Sequence, residues 1–132
     1  MTTDLAALVG AMPFASGLGI ELDHAEPGEV RARMPWAPRL CTSGGVLHGG
    51  ALMAFADSLG GICAFLNLPD GAMTSTIESK TNFFRAVRDG HVHAVTRPLH
   101  AGRTTIVAQT DLRDDEGRLA GQTTQTQAVI HR

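Results

Sequence analysis

The longest apolar segment of the chain, residues 49–66, has the periodicity of a helix. Leu52, Phe55, Leu59 and Ile62 recur at intervals of three and four residues, as on one helix face, and most remaining positions are apolar too. A helix that is apolar on all sides must be enclosed by protein. The segment therefore predicts one long helix at the centre of the fold.

After residue 70 the sequence has the alternating pattern and the turn residues of β-strands. Four strands are predicted: Ala72–Phe84, His91–Leu99, Arg103–Leu112 and Leu119–Ile130. Because the turns between them are short, consecutive strands are expected to pair antiparallel. One enclosed helix followed by this meander predicts an α+β fold, in which a curved antiparallel sheet wraps around the helix.

The residues before the long helix predict a short helix, a hairpin and a loop. Thr3 and Asp4 can cap a helix over residues 5–12, and Pro13 is expected to end it. Two strand-like segments flank a Pro-Gly turn: Leu18–Leu22 and Glu29–Met34. The loop over residues 35–47 is long enough to predict a functional role.

The composition limits the size, the partners and the location of the protein. The 132 residues suffice for one domain, and a net charge of −2 with mixed signs argues against nucleic acid as a partner. Cys41 and Cys63 belong to no motif with metal-ligand spacing, and the longest apolar run contains a carboxylate. We expect one domain over residues 1–132, located in the cytoplasm, with no membrane partner.

The residues that could take part in a reaction lie in the long helix and directly before it. Asp57 is the only acidic or basic residue between Ala51 and Leu66. It is either an ordinary surface carboxylate or one with a chemical task, since burying an unpaired charge is costly. His48-Gly49-Gly50 precedes the helix, where free backbone N–H groups can bind an oxyanion. The alternative is that these glycines only form a tight turn.

The spacing between His48 and Asp57 predicts a site shared between subunits. The two residues are nine positions apart, which on a helix means about 900° of rotation and roughly 13 Å of rise. They cannot meet within one chain. If both act on one carbonyl, the second group must come from another subunit, as in a two-fold pairing of antiparallel helices.

These residues resemble those of a known family, the hotdog-fold thioesterases, in which a sheet wraps one long helix. The motif HGGALMAFAD, which runs from His48 to Asp57, is similar to that of the phenylacetate-pathway type. The segments TNFFRAVRDGHVHAVTRPLHAGRTT and LRDDEGRLAG are similar to the aryl-CoA branch that contains 4-hydroxybenzoyl-CoA thioesterase. The resemblance extends from about Leu18 to Ile130 and implies a hotdog fold over the whole domain.

The resemblance also implies roles for individual residues. Asp57 would be the nucleophile or the base that activates water, and Thr76 is similar to a strand hydroxyl that assists that water. The Gly49 N–H would polarise the thioester carbonyl, and His48 would shape its loop. Residues implied in binding the substrate or coenzyme A are Thr42, Gly50, Arg85, Arg103 and Thr104.

The chain departs from the family pattern at three positions. Thr42 stands where a polar amide is frequent, six residues before His48. The aryl-CoA branch usually has a glutamate at the position of Asp57 and a threonine one turn later, where this chain has Gly61. These departures bear on how water and the acyl group are held.

The resemblance implies hydrolysis of an acyl-CoA thioester, with a mild expectation of an aromatic acyl group, by a homo-oligomer that is a dimer or a dimer of dimers. No cofactor and no metal are expected, because His91, His93 and His100 are interpreted as strand-surface residues. Two other functions stay open. A hydratase or dehydratase would need a histidine and an acid beside a substrate C–C bond, and a non-catalytic acyl-CoA-binding module would use Asp57 only as a hydrogen-bond partner.

Overall fold

The structure, a computed structural model, describes residues 4–132 and forms three α-helices and six β-strands there. The helices are α1 (Leu5–Gly10), α2 (Pro13–Gly17) and α3 (Gly49–Leu66). The strands are β1 (Glu21–Glu26), β2 (Glu29–Pro35), β3 (Met73–Phe83), β4 (His91–Ala101), β5 (Thr105–Arg113) and β6 (Leu119–Ile130). A 3-10 turn covers Pro38–Leu40 in the long loop before α3.

The six strands form one curved antiparallel sheet in the order β1-β2-β4-β5-β6-β3. β3 follows α3 in sequence but joins the far edge of the sheet, where β6 is its one neighbour among the described strands. β1 forms the opposite edge. Because α3 contacts every strand, the sheet wraps around this helix, as the sequence predicted.

The sheet covers the apolar face of α3 and leaves another face open. Phe55 and Leu59 are completely buried, whereas Met53 and Phe65 are 38% and 58% exposed. The prediction of a helix enclosed on all sides therefore holds only for the side that faces the sheet. By length and mean hydropathy α3 would pass as a membrane-spanning helix, but eight of its residues are buried in this fold.

The N-terminal region differs from the prediction at Pro13. This residue begins α2 instead of ending α1, since a proline at the first helical position needs no hydrogen-bond donor. Asp4 caps α1 as predicted, because its Oδ1 accepts a hydrogen bond of 3.1 Å from the Ala7 N–H. Thr3, the other residue proposed for this cap, lies outside the described residues.

The first strand also begins later than predicted. The segment Leu18–Leu22 was expected to be extended, but α2 runs to Gly17 and Gly19 has a φ of 81°. This left-handed backbone conformation separates the helix from β1, which starts at Glu21. The predicted bounds of α3 and β6 agree with the structure.

Candidate active site

The N-terminus of α3 leaves one backbone donor available. His48 is the N-cap, and its ring Nδ1 accepts a hydrogen bond of 2.7 Å from the Gly50 N–H. The N–H groups of Ala51 and Leu52 both donate to the His48 carbonyl, at 2.9 and 3.2 Å. Among the described residues no acceptor bonds the Gly49 N–H. This group is therefore the donor of the first turn that an oxyanion can reach.

A cavity of about 390 Å³ lies beside Gly49. The Phe83 ring packs so closely that a Cβ added at Gly49 would lie 3.2 Å from it. The walls of the cavity are mostly apolar, and Arg85 contributes the charged side chain. Glycine at position 49 thus keeps the free N–H accessible between the helix and the segment after β3.

Asp57 lies on the open face of α3 and is anchored by one hydrogen bond. Its Oδ1 accepts from Nε2 of Gln125 on β6, at 3.2 Å. Eight residues separate Asp57 from Gly49, which corresponds to about 12 Å along a helix. One chain therefore does not bring the carboxylate to the Gly49 N–H, in agreement with the spacing of the motif.

Beneath Asp57 lies a series of polar side chains joined by hydrogen bonds, of which only Thr76, an exposed residue, was predicted from the sequence. Gln125 and Gln127 on β6 are only 1% and 2% exposed. Gln125 Nε2 also donates to Gln127 Oε1 at 3.0 Å, and the Thr76 hydroxyl donates to the same oxygen at 2.6 Å. Gln127 Nε2 donates in turn to the Thr74 hydroxyl at 3.1 Å. We call Gln125, Gln127, Thr74 and Thr76 the polar network.

A signal for the polar network exists in the sequence. Gln125 and Gln127 share the alternation phase of Val129, which is also buried. The phase of β6 therefore points both amides toward the helix.

The two glycines in the middle of α3, Gly60 and Gly61, differ in their surroundings. A Cβ added at Gly60 would collide with the side-chain amide of Gln125, whereas a Cβ at Gly61 would meet nothing within 4 Å. The close approach at this pair is therefore at Gly60 only. The approaching group is a side chain of β6. Gly61 instead lines a small apolar cavity of about 220 Å³ on the open face of the helix.

The residues predicted to bind coenzyme A lie in two separate places. Arg85 lines both the cavity beside Gly49 and a charged cavity of about 370 Å³ that also contains Arg88 and Arg118. Arg103 and Thr104 lie in the exposed turn between β4 and β5. That turn is at the opposite end of β4 from the segment that carries Arg85. A single chain therefore does not bring these two groups together.

Thr42 is exposed in the loop before α3, and its backbone N–H donates to the Val46 carbonyl at 2.9 Å. The turn is continued by the bridge between Cys41 and Leu47. Gly50, the other residue predicted to contact substrate, uses its N–H for the His48 ring. Both residues are thus part of the folded loop that presents the helix N-terminus.

Ion pairs determine the charge in the cavity around Arg85. Partial burial raises the pKa of Asp114, but hydrogen bonds from Arg118 outweigh it and hold the pKa below its usual value. A hydrogen bond with His93 lowers the pKa of Asp115. Among the described residues Arg85 and Arg88 have no ion-pair partner. The cavity thus contains two arginines without an ion-pair partner, and also four acidic residues: Asp89, Asp114, Asp115 and Glu116. Three of these acids are paired, Asp114 and Glu116 with Arg118 and Asp115 with His93.

Within residues 4–132, no group of three or more histidine, cysteine, aspartate or glutamate side chains is arranged to hold a metal ion. The rings of His91 and His93 are 6.1 Å apart between centroids, and His93 bonds Asp115 at 2.7 Å. His93 therefore has a protein partner.

The wrapped sheet, the central helix and the glycine turn before it define a hotdog-fold protein with an acid on its central helix. The chain belongs to the Thioesterase superfamily, whose family model matches residues 44–120. A 1,4-dihydroxy-2-naphthoyl-CoA hydrolase from Escherichia coli is 32% identical over 113 residues, which cover 86% of this chain and 83% of that protein.

Two solved structures extend this likeness to the fold. The crystal structure of a thioesterase from Haemophilus influenzae has a TM-score of 0.92 at 32% identity, and covers 99% of this chain and 93% of that chain. A hypothetical thioesterase from Streptococcus pneumoniae with coenzyme A has a TM-score of 0.78 at 26% identity, over 86% of this chain and 87% of that chain. The predicted family, fold and enzyme class are therefore confirmed, and the protein is a thioester hydrolase.

Proposed function

We propose that the protein hydrolyses an acyl-CoA thioester to a carboxylic acid and free coenzyme A, with Asp57 as its catalytic carboxylate. The observation that carries the proposal is the pairing of two groups on one helix: a carboxylate held in place on the open face and a free N–H at Gly49. The N–H would stabilise the oxyanion, and Asp57 would attack the carbonyl or deprotonate a water. Both mechanisms use the same carboxylate.

The proposal requires that two chains share each site. β3 supports this because it is a long edge strand with a free side, and Ile77 on it is 62% exposed. Two copies of β3 pairing antiparallel would continue the sheet and would set the two α3 helices antiparallel on one face. Asp57 of one chain would then approach Gly49 of the other. We propose this dimer as the active unit and a dimer of dimers as the larger assembly.

Coenzyme A would lie along the segment after β3. The apolar cavity beside Gly49 suits the pantetheine arm, and Arg85 joins it to the charged cavity where Arg88 is also free for phosphate. Arg103 and Thr104 are separated from this region by the 11 residues of β4, about 35 Å of strand. They would serve the same coenzyme A only from another subunit.

The acyl group would enter the apolar cavity at Gly61. This position is one turn beyond Asp57 on the open face of α3, and its neighbours are Leu8, Met12, Ile62 and Phe65. An uncharged apolar acyl group, including an aromatic one, fits such a lining. The aromatic acyl group named for the Escherichia coli relative supports this choice. Both cysteines are free thiols, in keeping with the cytoplasmic location that we propose.

Thiol release from a panel of aromatic, short-chain and medium-chain acyl-CoAs tests the activity. Asp57→Asn should lower kcat by about 1,000-fold, because the variant has neither a nucleophilic nor a basic carboxylate. Asp70→Asn is the matched control and should keep full activity, because Asp70 lies exposed in the turn after α3. Full thiol release by Asp57→Asn would sink the proposal. Formation or loss of a C–C double bond without thiol release would favour the hydratase alternative.

Subunit complementation tests the shared site. Asp57→Asn and Gly49→Pro each remove one of the two groups, and each variant alone should be inactive. In a mixed dimer one site regains both intact groups, so random mixing of equal amounts should restore about a quarter of the wild-type activity. A mixture as inactive as its parents would show that both groups act within one chain. Trapping a labelled anhydride on Asp57 would distinguish nucleophilic attack from activation of water.

A further inference from the structure

We infer that Gln125 is a positioning residue for Asp57: it holds Oδ1 of the carboxylate and thereby presents Oδ2 as the reacting oxygen. The inference rests on the proposed function, in which Asp57 is the catalytic carboxylate. It assigns a role to a residue of β6 that lies 68 positions away in sequence and outside the segment matched by the family model.

The first support is the way in which Gln125 is enclosed. Its side chain is 1% exposed and lies directly against the backbone of α3 at Gly60. Any side chain at position 60 would occupy the space of the Gln125 amide. A glycine in a helix interior is less favourable than an alanine. Gly60, three residues after Asp57, is the position of α3 that the Gln125 amide passes, and only a glycine leaves room for it there.

The second support is the direction of the hydrogen bonds in the polar network. Gln127 Oε1 accepts from both the Thr76 hydroxyl and Gln125 Nε2. Gln127 Nε2 donates to Thr74. Because an ionised Asp57 carboxylate only accepts hydrogen bonds, the atom of Gln125 that contacts both Asp57 and Gln127 must be its Nε2, which matches the Oε1 that Gln127 presents to it. The network therefore fixes a donor under the carboxylate.

The geometry leaves the two oxygens of Asp57 unequal. Oδ1 accepts the bond from Gln125, while the carboxylate as a whole lies on the exposed face of α3. A carboxylate held at one oxygen keeps its plane, so that Oδ2 stays aimed at a bound carbonyl or water. The predicted role of Thr76 changes accordingly. Its hydroxyl bonds Gln127, and three successive hydrogen bonds connect it to Asp57 through Gln127 and Gln125.

Substitution of Gln125 tests the inference through the split between kcat and KM. Gln125→Met keeps the volume but removes the donor, and should lower kcat by about 10- to 100-fold, the worth of a hydrogen bond to a charged group. KM should stay within threefold, because Gln125 touches no part of the proposed substrate path. The matched control is Gln122→Met on the same strand, whose amide bonds Asp111 on the outer face. An unchanged kcat in Gln125→Met, with the control also unchanged, overturns the inference.

A double-mutant cycle between Gly60 and Gln125 gives a second test. Its first variant, Gly60→Ala, removes no polar group. Gly60→Ala should displace the Gln125 amide and lower kcat to a similar extent. In a Gln125→Ala background the added methyl has room, so Gly60→Ala should change kcat by less than twofold there. Effects that simply multiply would show that the two residues act separately, and would overturn the inference. This result is distinguishable from failure of the proposed function, which would appear as activity in Asp57→Asn.

Discussion

The two halves of the inner face of the sheet present different surfaces to the same helix. The inward positions of β2 and β4 are fully buried and mostly apolar: Val30, Ala32, Met34, Val92 and Ala94. The inward positions of β6 are also buried but mostly polar: Thr123, Gln125 and Gln127. We call these the apolar half and the polar half. α3 packs against both.

The difference shows how one core can both stabilise the fold and orient the side chains that are hydrogen-bonded to it. Apolar side chains gain free energy by leaving water but impose little directional order. Buried amides and hydroxyls gain little net free energy, yet they must be hydrogen-bonded and so fix the angles of their partners. Asp57 is bonded by the polar half. We expect the apolar half to determine the free energy of unfolding and the polar half to determine kcat.

The largest effect on stability should come from the apolar half. Met34 is completely buried on β2, so Met34→Ala should lower the free energy of unfolding by about 3 kcal/mol through lost contacts and the cavity left behind. Urea unfolding at a fixed protomer concentration measures this loss. The kcat of the folded variant should stay within twofold of wild type. If Met34→Ala reduced kcat as strongly as Gln125→Met, the two halves would not divide their roles.

A smaller effect is expected where the two halves meet. Thr96 on β4 and Thr110 on β5 are buried and share a hydrogen bond of 2.7 Å. Thr110→Val should cost about 2 kcal/mol, because the Thr96 hydroxyl loses its partner inside the core. The double variant with Thr96→Val should recover most of that loss in the same unfolding measurement. A double variant less stable than the single one would mean that these hydroxyls have other partners.

The smallest effect concerns pH and the apolar side of α3. Burial raises the pKa of the Cys63 thiol from 9.0 to about 11. The folded state therefore keeps this proton at pH values where the unfolded state has lost it, so stability falls as pH rises from about 9 to 11. By pH 10 the loss should be about 1 kcal/mol.

Comparing wild type with Cys63→Ala isolates this contribution. The substitution also changes the stability by an amount that does not depend on pH, so the quantity compared is the slope of the free energy of unfolding against pH. The slope between pH 8 and pH 10 should be shallower in the variant. A native protein whose Cys63 reacts rapidly with a thiol reagent at pH 8 would contradict the assignment.

The sequence predicted best those features that depend on neighbours along the chain. The three-to-four spacing from Leu52 to Ile62 predicted α3 with its observed bounds, because a buried helix face and its period follow directly from the sequence. The ends of β6 were predicted from its alternation. Pro13 was misjudged, since a proline can either end a helix or begin the next one.

The contacts of the candidate site depended on the fold. Asp57 was identifiable as the only charge in an apolar helix, but its partner Gln125 lies 68 residues away and only strand order brings the two together. The separation of Arg85 from Arg103 has the same origin. Both are arginines near strand ends, and the length of β4 decides that they lie far apart. The shared site stays a prediction that the complementation experiment tests.

The order of the strands has a consequence for synthesis on the ribosome. Among the described strands β3 pairs with β6 alone, and 35 residues lie between the end of β3 at residue 83 and the start of β6 at residue 119. At about 5–20 residues per second this is a delay of about 2 to 7 s. During that interval the nascent chain displays an unpaired strand with Ile77 and Phe83, a surface that chaperones recognise. Arrival of β6 pairs that strand and, in the same step, delivers Gln125 to Asp57.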